Sequence, residues 1–273
     1  MLIAQMSDPH LVPRDVRLFG RLDTADYLER AVAHLNTLAS DAVLITGDLT
    51  NDGDARVYAA FAAIVSRLRA PFFVLTGNHD DRELIRQRFA EGGYLPDSGP
   101  LCYAIDQFAV RVIALDTLVP GEPWGQLGAE QLAWLDARLC EAPDRPTLVA
   151  LHHPPFRTGI GHLDRSMLRD AEALAAVIGR HPQVERVLCG HVHRAIQRRF
   201  AGTLAQSAPS CAHQVELVLG EAPATWICEP PAVLLHWWDP AGGLVTHESP
   251  IGDYGPPGRF SDPHTTVARQ ASR

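Results

Sequence analysis

Ala42-Val43-Leu44-Ile45-Thr46-Gly47-Asp48 decides how this chain is read. Four apolar residues in a row predict a short strand buried on both faces. The threonine, glycine and aspartate that stop it predict a tight turn carrying a carboxylate. The same grammar recurs on both sides. Leu2 to Met6 runs into Ser7-Asp8, and Phe72-Phe73-Val74-Leu75 runs into Gly77-Asn78. Further apolar strands are expected at residues 110–115, 147–151 and 184–189. Between the strands, apolar residues fall at helical spacing. Leu28, Ala31, Val32, Leu35 and Leu38 predict a first helix. Others are expected at 55–68, at 128–139 with Leu132 and Leu135, and at 168–178. Strands alternating with helices predict an α/β domain.

After His193 the texture changes to short strands and turns, at residues 195–200, 203–207, 215–219, 233–238 and 244–247. No helix is expected there. Trp226, Trp237 and Trp238 lie in this part and serve either as interface anchors or as core aromatics. From Ser249 onward proline, glycine and polar residues dominate, which predicts an extended or disordered tail over 251–273.

Composition bounds the chemistry. The 273 residues are 46% apolar, enough for a sizeable core. The formal charge of -8 argues against a general nucleic-acid surface. All 24 basic residues are arginine, so Schiff-base and phosphate-loop lysines are excluded. The five cysteines are odd in number and lack zinc-ribbon spacing, so buried free thiols are expected rather than disulfides. No apolar run is long enough to span a membrane. Asp8 stands so near the first residue that no leader peptide is expected. A cytoplasmic protein is the resulting expectation.

Five polar blocks follow the strands in fixed order: Asp8-Pro9-His10, Gly47-Asp48, Gly77-Asn78-His79-Asp80, His152-His153-Pro154-Pro155 and Gly190-His191-Val192-His193. Ligands in open α/β sheets bind beyond the carboxyl ends of strands, and a core histidine would sit inside an apolar run instead. Asp8 and His10, like His191 and His193, are two apart and share a face if the segment is extended. Asp48 has two carboxylate oxygens and can bridge two cations. Asn78 offers a neutral oxygen, although it can equally cap a helix beginning at Asp80. Each block alone is weak evidence; their joint order is not.

This set resembles the calcineurin-like metallophosphoesterase family over residues 1–200, and within it the class III cyclic-nucleotide phosphodiesterases and bacterial glycerophosphodiesterases. Leu18-Phe19-Gly20, Thr50-Asn51-Asp52-Gly53 and His213-Gln214-Val215 add to the likeness. The resemblance implies a four-layer αββα sandwich with a C-terminal β-rich extension. It implies a dinuclear core over 1–200, with 201–250 completing that core and forming a dimerisation arm. Asp8, His10, Asp48 and His193 would hold one metal; Asp48, Asn78, His152 and His191 the other. The metals would be divalent: Fe, Mn, Zn or Co. His79 would be the catalytic imidazole, with Asn51 and His213 touching substrate. The implied activity is hydrolysis of small phosphodiesters, such as cAMP or glycerophosphodiesters, by a metal-bridging hydroxide. Homo-oligomers are implied, with no nucleic-acid or membrane partner. Phosphomonoesterase or nuclease activity is the alternative within the family, and a non-catalytic scaffold the alternative outside catalysis.

Overall fold

In the computed structural model, residues 1–260 are described. Eighteen elements follow in order: β1 Leu2–Met6, α1 Thr24–Leu35, β2 Ala42–Ile45, α2 Ala55–Val65, β3 Phe72–Val74, α3 Arg82–Phe89, β4 Tyr103–Ile105, β5 Arg111–Ala114, α4 Gly128–Cys140, β6 Thr147–Ala150, α5 Ala171–Ile178, β7 Val184–Cys189, β8 Ile196–Phe200, β9 Thr203–Ser207, β10 Gln214–Val215, β11 Trp226–Ile227, β12 Ala232–Asp239 and β13 Gly243–Pro250.

Two sheets carry the fold, ordered β13-β12-β1-β2-β3 and β4-β5-β6-β7-β9-β8. The strands β1, β2 and β3 are mutually parallel, as are β5, β6 and β7. Side-chain alternation then builds four layers. Ile3, Ala42, Leu44 and Phe73 of the first sheet meet Val112, Ala114, Leu148 and Leu188 of the second. Ala4, Met6, Val43, Ile45 and Val74 point the other way, onto Leu28 and Val32 of α1 and Tyr58 and Phe61 of α2. Ile113, Val149 and Val187 pack against Leu135 and Leu139 of α4 and Leu174 and Ile178 of α5. The result is the expected αββα sandwich. The apolar runs were continuous because both strand faces are covered.

Departures from expectation have local causes. The last expected helix starts at Ala171 because Leu168 is held in a β-bridge with Gly125. α3, expected only as a helix that Asn78 could cap, has a weak apolar pattern: only Ile85 and Phe89 of it are buried, while three arginines dilute it. Its cap is Asp81, which accepts from the Leu84 N–H, and not Asn78. The strand expected at 215–219 shrinks to Gln214–Val215. Among the described residues it pairs only with the two-residue β11, and Leu217 and Leu219 are left exposed. Trp238 packs beside the inter-sheet core, whereas Trp237 is 45% exposed. Cys189 and Cys211 are buried, but Cys140 and Cys228 are exposed, against the expectation of buried thiols throughout. Residues 251–260 hold no helix or strand, and 261–273 of the expected tail lie outside the described residues. No helix among the described residues is long and apolar enough to cross a membrane.

A polar chain stitches the two sheets beneath the site. Gln5 Nε2 donates to Thr46 Oγ1 at 3.0 Å and to the Cys189 carbonyl at 2.9 Å. Its Oε1 lies 3.1 Å from His236 Nε2, and His236 Nδ1 lies 2.9 Å from Thr246 Oγ1. Gln5 Oε1 only accepts, so His236 carries a proton on Nε2. Burial, reinforced by Arg186, pushes its pKa down to about 3. The unfolded chain binds that proton near pH 6.5 and the folded chain does not. Stability from this group is therefore full above pH 6.5 and is lost as pH falls, by at most about 1.4 kcal/mol per pH unit. In denaturant titrations between about pH 6 and about pH 4, His236→Gln should lose stability more slowly than the parent by that slope. Equal slopes would remove His236 from the account.

Candidate metal centre at the strand ends

Five loops meet where strands of both sheets end. Asp8 and His10 follow β1, Asp48 follows β2, Asn78 and His79 follow β3, His152 follows β6, and His191 and His193 follow β7. The backbone is bent hard here. Asp8, His10, Asp48, His191 and His193 have φ between 44° and 70°, and they are five of the eight non-glycine residues with positive φ among the described residues. Such left-handed residues cost of order 1–3 kcal/mol each and persist where surroundings over-determine them. Asp8 and His10 thus reach one place through left-handed turns, not through the extended segment expected. Backbone bonds fix the turns: Asp8 N–H to Gly47 O at 3.2 Å, and His10 N–H to Asp48 O at 3.0 Å.

Two motif glycines are explained by approach. A Cβ on Gly77 would sit 2.1 Å from Asp48 Oδ1, and one on Gly47 2.4 Å from His152 Nδ1. Gly47 therefore makes room for the His152 ring rather than for an ion directly.

The side chains form two groups. Asp8, His10, Asp48 and His193 bring ligand atoms within 4.8 Å of one another. His10 Nε2 lies 3.1 Å from His193 Nε2 and 3.4 Å from Asp48 Oδ2, and His193 Nε2 lies 3.4 Å from Asp8 Oδ1. In the second group, Asn78 Oδ1 is 3.2 Å from His152 Nε2 and 2.9 Å from His191 Nδ1. His152 Nε2 is 3.4 Å from Asp48 Oδ2, so that one oxygen stands between the groups.

Hydrogen positions follow from the partners. His152 Nδ1 is 2.8 Å from the Thr46 carbonyl and His193 Nδ1 is 3.0 Å from the His213 carbonyl. A carbonyl only accepts, so both Nδ1 atoms carry the proton and both Nε2 atoms are bare in the neutral rings. The Asp8 and Asp48 carboxylates, the Asn78 amide oxygen and the His152 and His193 Nε2 atoms then converge on one place. Positive charge is needed, and mixed N and O donors at these separations fit divalent metal ions.

Electrostatics agree. Burial opposes ionisation of Asp8, but His193 prevails and holds its pKa at about 2. Asp48 is likewise buried, and His152 and His10 hold it well below the usual carboxylate range. Burial disfavours charge on His152, yet Asp48 raises it to about 9. Burial outweighs the same carboxylate at His10, which falls to about 3. The pocket stabilises its carboxylates as anions and draws cations toward Asp48.

His79 is exposed at the rim. Its N–H donates to Asp48 Oδ1 at 3.0 Å, its Nδ1 is 2.8 Å from the Asn51 carbonyl, and its ring is 4.8 Å from the His10 ring. Asn51 thus meets His79 through its backbone, while its amide donates to Asp52 at 2.8 Å. The His213 ring is buried 4.6 Å from the His193 ring and 5.3 Å from Phe19. Burial, then His193, pushes its pKa to about 2, so it is neutral.

Two residues carry more than their motifs suggested. Asp80 is buried and accepts from the N–H groups of Leu49, Thr50 and Gly77 and from the Tyr58 hydroxyl. It ties the Asp48 loop to the Asn78 loop; its place directly after His79 was the only sequence signal. His153 is fully buried, with Nδ1 2.7 Å from Thr117 Oγ1 and Nε2 without a partner. It lies within ligand reach of His152 and His191.

Comparison with known proteins agrees with this geometry. The sequence pattern of the calcineurin-like phosphoesterase family matches residues 1–195. The chain is 36% identical to a probable glycerophosphodiester phosphodiesterase of Arcobacter nitrofigilis, over 95% of this chain and 97% of that one. It is 33% identical to the 3',5'-cyclic adenosine monophosphate phosphodiesterase of Escherichia coli K12, over 76% and 75% of the two chains. In structure it is similar to a dimetal phosphatase from Danio rerio, with a TM-score of 0.63 at 14% identity, covering 92% of this chain and 99% of that chain. Pattern, relatives and fold together place this chain in the calcineurin-like phosphoesterase family.

Proposed function

We propose that the protein is a metal-dependent phosphodiesterase acting on small diesters, namely glycerophosphodiesters or 3',5'-cyclic nucleotides. The observation that carries this reading is Asp48 Oδ2, 3.4 Å from both His10 Nε2 and His152 Nε2 and shared by two groups of bare donors. Asp8, His10, Asp48 and His193 are assigned to one metal, and Asp48, Asn78, His152 and His191 to the second. Fe, Mn, Zn and Co all suit this thiolate-free set. Bound divalent metals supply a water ionised near neutral pH and positive charge for the phosphoryl oxygens.

The chain's own residues do the rest. His79 holds a proton on Nδ1 against the Asn51 carbonyl, so only its protonated ring presents an Nε2–H. That atom is the donor for a phosphoryl or leaving oxygen. Neutral His213 and the Asn51 segment flank it as substrate contacts. The charge of -8 favours small diesters over long nucleic acids. We read residues 1–200 as the dinuclear core, 201–250 as its completion and a self-association arm, and the protein as a cytoplasmic homo-oligomer. The glycerophosphodiesterase and cyclic-nucleotide names of the relatives support the substrate class.

Protein reconstituted with Mn should hydrolyse cAMP, a glycerophosphodiester and bis-nitrophenyl phosphate, with nitrophenyl phosphate and plasmid DNA far behind. Inertness toward every ester would favour a binding scaffold, and a preference for the monoester would overturn the diester reading. His79→Asn should lower kcat by about 10²–10⁴-fold with metal content unchanged. Asp48→Ala should cost both metals, read by elemental analysis. Unchanged turnover in the first variant, or full metal content in the second, would reassign these residues.

A further inference from the structure

The three histidines assigned to metal with known ring partners are not held alike. His152 and His193 lean on backbone carbonyls, which no substitution removes. His191 leans on a side chain: its Nε2 is 3.0 Å from Ser166 Oγ. The Ser166 hydroxyl is also 3.0 Å from the Leu163 carbonyl, to which it can only donate. With its one hydrogen spent there, Ser166 Oγ accepts from His191 Nε2–H. His191 Nδ1 is then bare, and it faces Asn78 Oδ1 at 2.9 Å. That oxygen already faces the bare His152 Nε2 at 3.2 Å.

We infer that Ser166 is a positioning residue for the second metal, selecting the tautomer in which His191 coordinates through Nδ1. The inference rests on the ligand assignment proposed above. The alternative placement, with Ser166 donating to Nε2 and Nδ1–H donating to Asn78, satisfies the same atoms with no ion present. That placement would cost the Ser166 hydroxyl its bond to the Leu163 carbonyl, and a methyl group could serve neither arrangement. The loop around it is built to hold that hydroxyl in place. Ser166 N–H closes the turn Leu163–Arg165 onto Leu163 O at 2.8 Å. The Asp164 carboxylate accepts from Thr158 N–H at 2.6 Å and Thr158 Oγ1 at 2.9 Å. Gly161 N–H is tied to Gly220 O at 2.8 Å, so the C-terminal part braces the same loop.

The test is a Mn titration of chelator-stripped full-length protein, followed by low-temperature EPR. The parent should take two ions in steps and develop the signal of an exchange-coupled pair. In Ser166→Ala the first step should be unchanged and the second weakened about 10–100-fold, the usual effect of losing a partner of a metal-bound histidine. The coupled signal should fall with it, and Ser166→Thr, which keeps the hydroxyl, should restore both. A second step unchanged in Ser166→Ala, or two steps weakened alike as by general loosening, would overturn the assignment of Ser166 while leaving the dinuclear reading intact. A parent protein that takes one ion only would overturn both.

Discussion

Crowding hydrogen-bond acceptors where water and donors are scarce is expensive, and this molecule does it at the junction of its two sheets. Asp8 and Asp48 are almost wholly buried, at 0% and 2% exposure, and bare imidazole nitrogens stand around them. An isolated buried carboxylate is strongly disfavoured unless charge of the opposite sign or several donors compensate it. The backbone supplies some donors: the His79 N–H bonds Asp48, and the His191 N–H bonds Asp8 at 3.1 Å. The remaining lone pairs converge. The proposed divalent metals would supply the charge they need, and the left-handed turns, close glycines and carbonyl-held histidines serve to keep them converged.

The sandwich explains why the site needs residues from the whole chain. Loops after β1, β2 and β3 bring Asp8, His10, Asp48 and Asn78 from one sheet; loops after β6 and β7 bring His152, His191 and His193 from the other. The distance between these two sets of loops, each of which contributes to both ligand groups, is set by the inter-sheet core, through Leu44, Phe73, Leu148 and Leu188. Gln5 sets it too, spanning from Thr46 to the Cys189 carbonyl directly beneath the ligands. Asp80 locks the loops of a single sheet together, whereas Gln5 locks one sheet to the other. Loss of packing at this seam would spread the members of both groups apart without altering any of them.

Much of this was legible in the residues. Ala42 to Ile45 and its counterparts declared strands buried on both faces, because a parallel strand inside a sandwich has no polar face to mark. The polar blocks at their ends named every side chain that the structure brings together around Asp48. What stayed hidden was long-range or weakly patterned. α3 buries only two residues, so no apolar stripe announced it. Residues 215–219 were apolar enough for a strand but had no long neighbour to pair with. The i and i+2 argument for Asp8 and His10 reached the right proximity for the wrong backbone, since residue spacing says nothing of left-handed φ. The work of Asp80 was marked only by its place after His79 and that of Ser166 by nothing, because their partners are remote in sequence or are backbone atoms.

The most direct test of the central claim is a crystal of the protein grown with excess manganese, with anomalous scattering recorded at the metal edge. The account predicts two peaks roughly 3.5–4 Å apart, one on either side of the Asp48 carboxylate, with Asp8, His10 and His193 around the first and Asn78, His152 and His191 around the second. A single peak, or peaks that leave Asp48 bound to neither ion, would contradict it.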